Sequence, residues 1–348
     1  MTEDVWAERD TTPDAIDDAL RRMLRELHAA DGTLAPARVL NLVVVVDHDW
    51  KGEVANRLAR VGRYHASRTV LCAVQEGRTT LDGRAVMRWD DPEDGVGVIQ
   101  EQVEIDLGPS RLRALESVVD PVIRSELPTL LWCPHGHLDA VRSLHDLVDV
   151  MLIDSDDEPA PADGLARAAQ LLESAYVVDL AWLRTTPWRE RLAASFDPPD
   201  RRERLERISA LTVRHQHSSS ASALLLAGWL SARLGWDPSA LSAVNGDGAG
   251  LRGHMGSVDV LLETSDQEAP GLAGVTVEFD RGFSLSLDRA RGGLCARQRD
   301  PDGSERTWQV LGASRGEGGI LGEGVRQALL RDPTYGPALA RARVMSAA

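Results

Sequence analysis

The stretch Arg38-Val-Leu-Asn-Leu-Val-Val-Val-Val46 decides the fold. A continuous apolar run rich in β-branched residues is typical of a strand that is buried on both faces of a sheet. Four further apolar or alternating runs in the first half of the chain predict strands, at residues 69–74, 98–107, 128–132 and 148–153. Helices or helical turns are predicted between them, at residues 53–62, 110–124 and 138–145. Buried strands that alternate with helices imply an α/β fold with a mainly parallel sheet flanked by helices.

Two features lie beside this alternating pattern. Thr12-Pro13 begins a predicted amphipathic helix that ends near Asp31-Gly32, because its apolar residues recur at helical spacing. Residues 86–107, interrupted at residues 90–95, predict a hairpin added at one edge of the sheet.

The second half of the chain changes character. Residues 154–164 are acidic and contain proline, which predicts a linker and hence two domains, 1–160 and 161–348. The C-terminal domain is predicted to begin with helices at residues 164–173, 187–194, 201–213 and 218–234. Alternating strands joined by glycine-bearing turns then predict an antiparallel meander, at residues 258–263, 275–279, 283–287, 293–298 and 307–311. Helices at residues 319–330 and 335–344 complete a C-terminal α+β domain.

The composition limits the classes of partner. The chain has 348 residues, 43% hydrophobic content and a formal net charge of −15, so its long-range field repels nucleic acid and anionic membranes. No nucleic-acid or membrane partner is therefore expected. The acidic N-terminal sequence and the lack of a run long enough to span a membrane predict a cytoplasmic protein. Three dispersed cysteines, Cys72, Cys133 and Cys295, do not form a disulfide framework pattern.

One segment, Asp179-Leu-Ala-Trp-Leu-Arg-Thr-Thr-Pro-Trp-Arg-Glu-Arg-Leu192, concentrates tryptophan and arginine. These residue types carry much of the binding energy at protein interfaces. Four residues of the segment are therefore predicted to bind a partner: Trp182, Arg184, Trp188 and Arg189. The alternative is a structural helix with Thr186 as N-cap and Pro187 at its first position, which would bury Trp188 and Leu192.

The same segment belongs to a series of blocks that carries a family resemblance. In chain order the other blocks are Arg38 to Val46, His65-Ala-Ser-Arg-Thr-Val-Leu71, Leu127-Pro-Thr-Leu-Leu-Trp132, Leu226-Ala-Gly-Trp-Leu-Ser-Ala-Arg-Leu-Gly-Trp236 and Val310-Leu-Gly-Ala-Ser-Arg-Gly316. Together they make the chain resemble the glucose-6-phosphate dehydrogenase assembly protein OpcA family. Where that family has a second tryptophan after Trp132, this chain has Cys133.

The resemblance implies a function. Family members are non-catalytic and need no cofactor. They bind glucose-6-phosphate dehydrogenase, the first dehydrogenase of the oxidative pentose phosphate pathway, and act as allosteric activators that promote its active oligomer. Some members are redox-sensitive, which implies a redox role for Cys72 and Cys133. From sequence, each is instead interpreted as a small buried side chain near a strand end.

A glycine-rich turn provides the alternative function. Gly312-Ala-Ser-Arg-Gly316 matches the GxSxG pattern of serine hydrolases, but the last histidine, His254, precedes Ser314, the reverse of the α/β-hydrolase order. The turn at Ser314, Arg315 and Gly316 leads into a predicted helix, where main-chain amides and a guanidinium suit an anion such as a sugar phosphate. A tight structural turn is the simpler interpretation.

Other motifs give no site. Residues 248–253 fit GxGxxG, but a helix precedes them and a strand follows, the reverse of the dinucleotide-binding context. The pairs His135/His137 and His215/His217 have no clear third ligand, so no metal is predicted. The acidic pairs Glu101/Glu104 and Asp154/Asp156 are predicted to be solvated charges.

Overall fold

The computed structural model describes residues 2–36, 38–62, 67–89, 97–244, 250–311 and 316–347. The chain divides into two compact units. Unit 1 comprises Met1–Ile153, Ala175–Val178 and Val325–Leu329, and unit 2 comprises Asp154–Ser174, Asp179–Gly324 and Leu330–Ala348. The division into two domains at residue 160 stays a prediction.

The first sheet has nine strands. They are β1 Thr2–Glu8, β2 Leu34–Pro36, β3 Leu40–Asp47, β4 Ser67–Val74, β5 Asp82–Trp89, β6 Gly97–Leu107, β7 Thr129–Trp132, β8 Val150–Ile153 and β9 Tyr176–Asp179. Their order is β1-β5-β6-β4-β3-β7-β8-β9, with β2 beside β6. β3 pairs in parallel with β4 and β7, whereas β5 pairs antiparallel with β6 and β1. The predicted α/β class and the antiparallel pairing of β5 with β6 are confirmed. The edge position is wrong, because β1, a strand that the sequence did not predict, pairs with β5 on its other side.

The helices of this half are α1 Pro13–Ala30, α2 Lys51–Gly62, α3 Glu116–Val119 and α4 Leu138–Ser143. α1 begins where predicted, because the Thr12 side chain accepts a hydrogen bond from the Ala15 amide at 3.3 Å. The helices or helical turns predicted at residues 110–124 take the form of a 3-10 turn at Pro109–Ala114 followed by the short α3.

A buried charge cluster crosses the first sheet and corrects one prediction. Glu101 is 3% exposed, and its oxygens accept hydrogen bonds from Arg38 at 2.6 Å and from Arg68 at 3.1 Å. The prediction that Glu101 and Glu104 are solvated is therefore wrong, because Arg68 lies on β4, the strand parallel to β6. Burial alone would raise the pKa of Glu101, but the Arg38 hydrogen bond and the Arg68 charge hold it below its usual value.

The second sheet has eight strands. They are β10 Ile208–Gln216, β11 Ser242–Ala243, β12 Gly250–Met255, β13 Val258–Ser265, β14 Leu272–Phe279, β15 Ser284–Ala290, β16 Gly293–Arg299 and β17 Glu305–Leu311. Their order is β11-β12-β13-β10-β14-β15-β16-β17, so the predicted antiparallel meander is confirmed from β14 to β17. The helix predicted at residues 201–213 is wrong after Arg207. β10 lies inside the sheet instead, parallel to β13 and antiparallel to β14.

The later helices are α5 Pro161–Leu171, α6 Leu180–Ser195, α7 Pro199–Arg202, α8 Ser220–Leu234, α9 Gly316–Gln327 and α10 Tyr335–Met345. α8 packs closely on α10 at Gly228, where a Cβ atom would lie 2.3 Å from the carbonyl oxygen of Ala338. Across the described ranges, no helix has both the length and the apolar character needed to cross a bilayer.

Candidate functional site

Helix α6 contains all four residues that were predicted to bind a partner. It begins at Leu180, because Asp179 at the end of β9 is its N-cap and accepts a hydrogen bond from the Ala181 amide at 3.0 Å. The predicted N-cap at Thr186 is wrong, since Pro187 lies inside the helix. The alternative interpretation was right about burial, with Trp188 only 2% exposed.

Trp182 and Arg189 form one stacked pair on α6. The Trp182 ring nitrogen donates a hydrogen bond to the Asp332 carboxylate at 2.9 Å, and its side chain is buried. The Arg189 guanidinium carbon lies 3.5 Å from the centre of the Trp182 ring. Arg189 also donates from Nε to the Thr185 hydroxyl at 2.9 Å. Both side chains are therefore held against protein atoms of unit 2, and cation–π attraction strengthens the stack.

Arg184 forms a buried two-bond ion pair with Asp154. Its two terminal nitrogens lie 2.8 and 2.7 Å from the carboxylate oxygens of Asp154, and one lies 3.7 Å from Asp156. The prediction that Asp154 and Asp156 are solvated charges is wrong, because their side chains are only 7% exposed. Pro161 begins α5, so the predicted linker at residues 154–164 overlaps the start of this helix. A planar guanidinium matches a carboxylate with two parallel hydrogen bonds, which allows this charge to be buried.

Two more carboxylates complete the arrangement, which we call the α6 network: Asp154, Asp156, Asp179, Arg184 and the groups that they bind. Asp156 accepts hydrogen bonds from the Ser222 amide at 3.1 Å and from its hydroxyl at 2.6 Å. Asp179 accepts from the Ser155 hydroxyl at 2.6 Å and from the Tyr335 hydroxyl at 2.9 Å. The network thus ties the segment after β8 to α6, α8 and α10 within unit 2.

The network contains carboxyl groups that resist ionisation. Burial, followed by the charge of Asp154, raises the pKa of Asp156 to about 7 and raises the pKa of Asp179. The folded chain holds these protons to higher pH than the unfolded chain does. Protonation of the two carboxyl groups therefore contributes fully to the free energy of unfolding below the unfolded pKa of 3.8. This contribution is lost as the pH rises towards about 7.

We therefore predict that the Asp156→Asn variant becomes more stable relative to the parent as the pH rises. Asparagine never has to ionise, so the difference in unfolding free energy should move in favour of the variant by more than about 1 kcal/mol between pH 4.5 and 8. Urea unfolding of both proteins at several pH values measures this difference. A difference that does not change with pH would show that Asp156 ionises normally.

The solvent-facing side of the same helix lines a groove of unit 2. Arg191 is exposed, in contrast to Arg184 and Arg189 on the network side. The groove has a volume of about 430 Å³ and runs between α6, α7 and the strands β15 to β17. The described residues that line it are Arg191, Ala194, Ser195, Arg201, Leu287, Ala296, Gln298, Arg306, Trp308 and Val310.

The groove is cationic although the whole chain is acidic. Three of its lining side chains are arginines, Trp308 is 37% exposed, and none of the described lining residues is a carboxylate. β17, which supplies Arg306 and Trp308, is the last strand of its sheet. Of these residues, Arg191 alone lies in the segment from which partner-binding residues were predicted. The others lie on two helices and three strands that are distant in sequence and show no local motif.

The remaining predicted site residues fall in different places. Cys72 is fully buried in β4, and burial followed by the nearby Cys133 raises the pKa of its thiol to about 12, so it carries no thiolate at neutral pH. A redox role for Cys72 and Cys133 stays a prediction. Ser314 and Arg315 lie outside the described residues, and Gly316 is the first residue of α9, so anion binding there also stays a prediction.

The chemistry of the α6 network is that of a structural core. Its carboxylates are held by arginine, serine and tyrosine donors within unit 2, an arrangement that fixes four elements relative to one another. Direct partner contact by Trp182, Arg184, Trp188 and Arg189 stays a prediction. In unit 1, the side chains of Asp47, His135 and His137 come together and could hold a metal ion.

Two family models match the chain. One is described as the N-terminal domain of a glucose-6-phosphate dehydrogenase subunit and matches residues 58–170. The other is described as the C-terminal domain of that subunit and matches residues 175–339. Both models carry the name OpcA.

Curated relatives carry the same family name. The putative OxPP cycle protein OpcA of Synechococcus elongatus is 30% identical over 142 residues, which cover 40% of this chain and 32% of that protein. Its counterpart in Nostoc punctiforme is 30% identical over 170 residues, which cover 48% of this chain and 36% of that protein. The chain thus spans about a third of the length of the curated relatives it matches.

A distant likeness to a solved structure also exists. The dehydrogenase from Chromobacterium violaceum aligns with 88% of this chain and 93% of its own, at 12% identity and a TM-score of 0.45. A likeness at this level has no bearing on the function.

Proposed function

Because the chain belongs to the OpcA family of glucose-6-phosphate dehydrogenase subunits, we propose that it binds glucose-6-phosphate dehydrogenase and promotes the active oligomer of that enzyme. The observation that supports this most strongly is the match of both subunit domain models, in order, over residues 58–170 and 175–339. In this role the chain acts as a non-catalytic allosteric activator within the oxidative pentose phosphate pathway, and the dehydrogenase alone performs the bond-making step.

The cationic groove of unit 2 is the surface that we assign to this contact. An exposed tryptophan between arginines is the kind of patch that carries binding energy at interfaces, because both side chains offer large contact areas with well-defined geometry. The groove also has apolar walls at Leu287, Ala296 and Val310. Its occupant is an acidic segment of the dehydrogenase that also carries an apolar side chain, since the described lining offers three cations and no anion.

The α6 network supports this surface from behind. Arg184 and Arg189 hold one side of α6 to buried partners, while Arg191 and Ser195 of the same helix line the groove. A helix fixed on one side presents its other side with little loss of entropy on binding, which favours affinity. In this proposal the buried tryptophans and arginines of residues 179–192 contribute to binding indirectly, because they fix the position of α6.

Activation follows from mass action. A protein that binds the active oligomer of the dehydrogenase more tightly than its inactive form shifts the equilibrium by its differential affinity. A difference of about 1.4 kcal/mol corresponds to a tenfold shift. No reactive group on this chain is needed for that effect.

We predict that reversing two groove charges, in the variant Arg191→Glu with Arg306→Glu, weakens binding to the dehydrogenase by about 10- to 100-fold. Each change places a carboxylate opposite the acidic segment and removes an attractive charge. Equilibrium binding of the purified proteins at low and high salt measures the effect, and the loss should be larger at low salt because salt screens exposed charges.

The matched control is the double variant Arg233→Glu with Arg343→Glu, which makes the same change in net charge at exposed positions of unit 2 outside the groove. We expect this control to bind like the parent. Equal losses in both variants would point to a general charge effect and would remove the groove from the contact.

A further inference from the structure

Three possible metal ligands meet at the carboxyl edge of the first sheet. Asp47 is the last residue of β3, and His135 and His137 lie in the loop after β7. β3 and β7 are neighbouring parallel strands, so their carboxyl ends lie side by side. Gly136, with a φ of +86°, makes the turn between the two histidines.

The topology places this cluster at a switch point. β3 is followed in the chain by β4 on one side of it, whereas β7 lies on its other side. Connections that leave neighbouring strands in opposite directions open a crevice beyond the carboxyl ends, and ligands of open α/β sheets bind there. The position is thus one where the fold leaves room for a ligand.

The donor atoms are spaced for a small cation. The distance from His137 Nε2 to Asp47 Oδ1 is 3.1 Å, and that from His135 Nδ1 to Asp47 Oδ2 is 3.5 Å. One ligand atom from each residue lies within 4.8 Å of those of the other two. Ligands about 2.1 Å from a tetrahedral ion lie about 3.4 Å apart. Each of the two distances is close to that value, although they end on different oxygens of the Asp47 carboxylate.

A second observation is the state of His137. Its Nε2 atom is buried and makes no hydrogen bond within the described part of the chain, although the Asp47 carboxylate is close. A buried ring nitrogen without a hydrogen bond is costly, and a bound cation would satisfy it. The Asp47 side chain is 53% exposed, so the cluster also opens to solvent.

We propose that Asp47, His135 and His137 bind one divalent transition-metal ion of the zinc class, with the fourth position open to water or to an anionic ligand. Two imidazoles and one carboxylate favour zinc, cobalt or nickel over magnesium and calcium, which prefer oxygen ligands alone. Ligation through His135 Nδ1 replaces the hydrogen bond that this atom accepts from the Asp47 amide at 3.0 Å. The Trp50 ring, 5.8 Å from the His135 ring, flanks the site on one side.

The test is metal binding by the isolated chain, which does not depend on the dehydrogenase. The metal-free protein is titrated with Co²⁺ while its visible absorption is recorded, and then with Zn²⁺ as a competitor. We expect one Co²⁺ per chain with the strong absorption of a four-coordinate ion, displaced by one Zn²⁺. At about 100 μM metal, a site of even modest affinity should fill. If binding does not saturate at that concentration, the proposal is overturned.

Variants assign the ligands. His137→Ala should weaken zinc binding by at least about 100-fold, because one of three protein ligands is lost. Asp47→Asn provides a second test at a half-exposed position, should the alanine variant not fold. His145→Ala removes a histidine that is 58% exposed and pairs with Asp146, and it should leave binding unchanged. Unchanged affinity in both ligand variants would also overturn the proposal.

Discussion

Replacing Arg184 with alanine should lower the unfolding free energy by about 3–5 kcal/mol at pH 7.5, the usual cost of breaking a buried ion pair. The change removes the two hydrogen bonds that Arg184 donates to the Asp154 carboxylate, in a site where the Asp154 side chain is only 7% exposed. At pH 5 the loss should be smaller, because burial raises the pKa of Asp156 to about 7 and its carboxyl group is then neutral, so less uncompensated charge remains when Arg184 is removed. Urea unfolding at both pH values measures the two losses.

The control for this prediction lies on the same helix. Arg191→Ala changes an exposed arginine of α6 and should alter stability by no more than about 0.5 kcal/mol. Equal losses for Arg184→Ala at pH 7.5 and pH 5 would mean that lost packing, and not buried charge, sets the cost.

Replacing Glu101 with alanine should be as damaging in unit 1, with a loss of about 3–5 kcal/mol. Glu101 is the shared acceptor of Arg38 and Arg68, and the Arg68 side chain is fully buried. Removal of the carboxylate leaves two buried or partly buried cations close together, with the Val122 carbonyl, 2.8 Å away, still accepting a hydrogen bond from Arg68. Thermal and urea unfolding measure the loss.

Glu53→Ala is the matched control for Glu101. Glu53 pairs with Arg57 on the surface of α2 and its side chain is 46% exposed, so its removal should cost less than about 0.5 kcal/mol. If the two variants were equally stable, the Glu101 cluster would contribute no more than an exposed ion pair.

The architecture could be predicted where local sequence decides it. The run from Leu42 to Val46 is apolar because both faces of β3 are buried. The meander could be predicted because alternating apolar residues and turn residues are short-range signals. β10 was predicted as a helix up to residue 213. Its strand conformation depends on β13 and β14, which pair with it and come later in the chain. Strand pairing of this kind is a tertiary effect that overrides local propensity.

The candidate site could be predicted only in part, for the same reason. The sequence indicated that residues 179–192 matter, yet it could not show which side of α6 faces the interior. Trp182 meets Asp332 across 150 residues, and Asp179 meets Tyr335 across 156. The acidic residues at 154–158 resemble solvated charges in the sequence because their partners are distant. Arg184, which pairs with Asp154, is 30 residues away from it, and Ser222, which binds Asp156, is 66 residues away from it.

The cluster of Asp47, His135 and His137 also depends on residues that are distant in sequence. From the sequence, His135 and His137 formed a pair without a clear third ligand. Asp47 lies 88 residues before His135, and the parallel pairing of β3 with β7 brings them together.

The most direct test of the central claim is sedimentation velocity of purified glucose-6-phosphate dehydrogenase at low concentration, with and without this chain, with the reaction rate measured in the same samples. We expect the chain to sediment with the dehydrogenase, the dehydrogenase to move to a larger species, and its rate per subunit to rise. We expect no turnover by the chain alone. Separate sedimentation of the two proteins with an unchanged rate would contradict it.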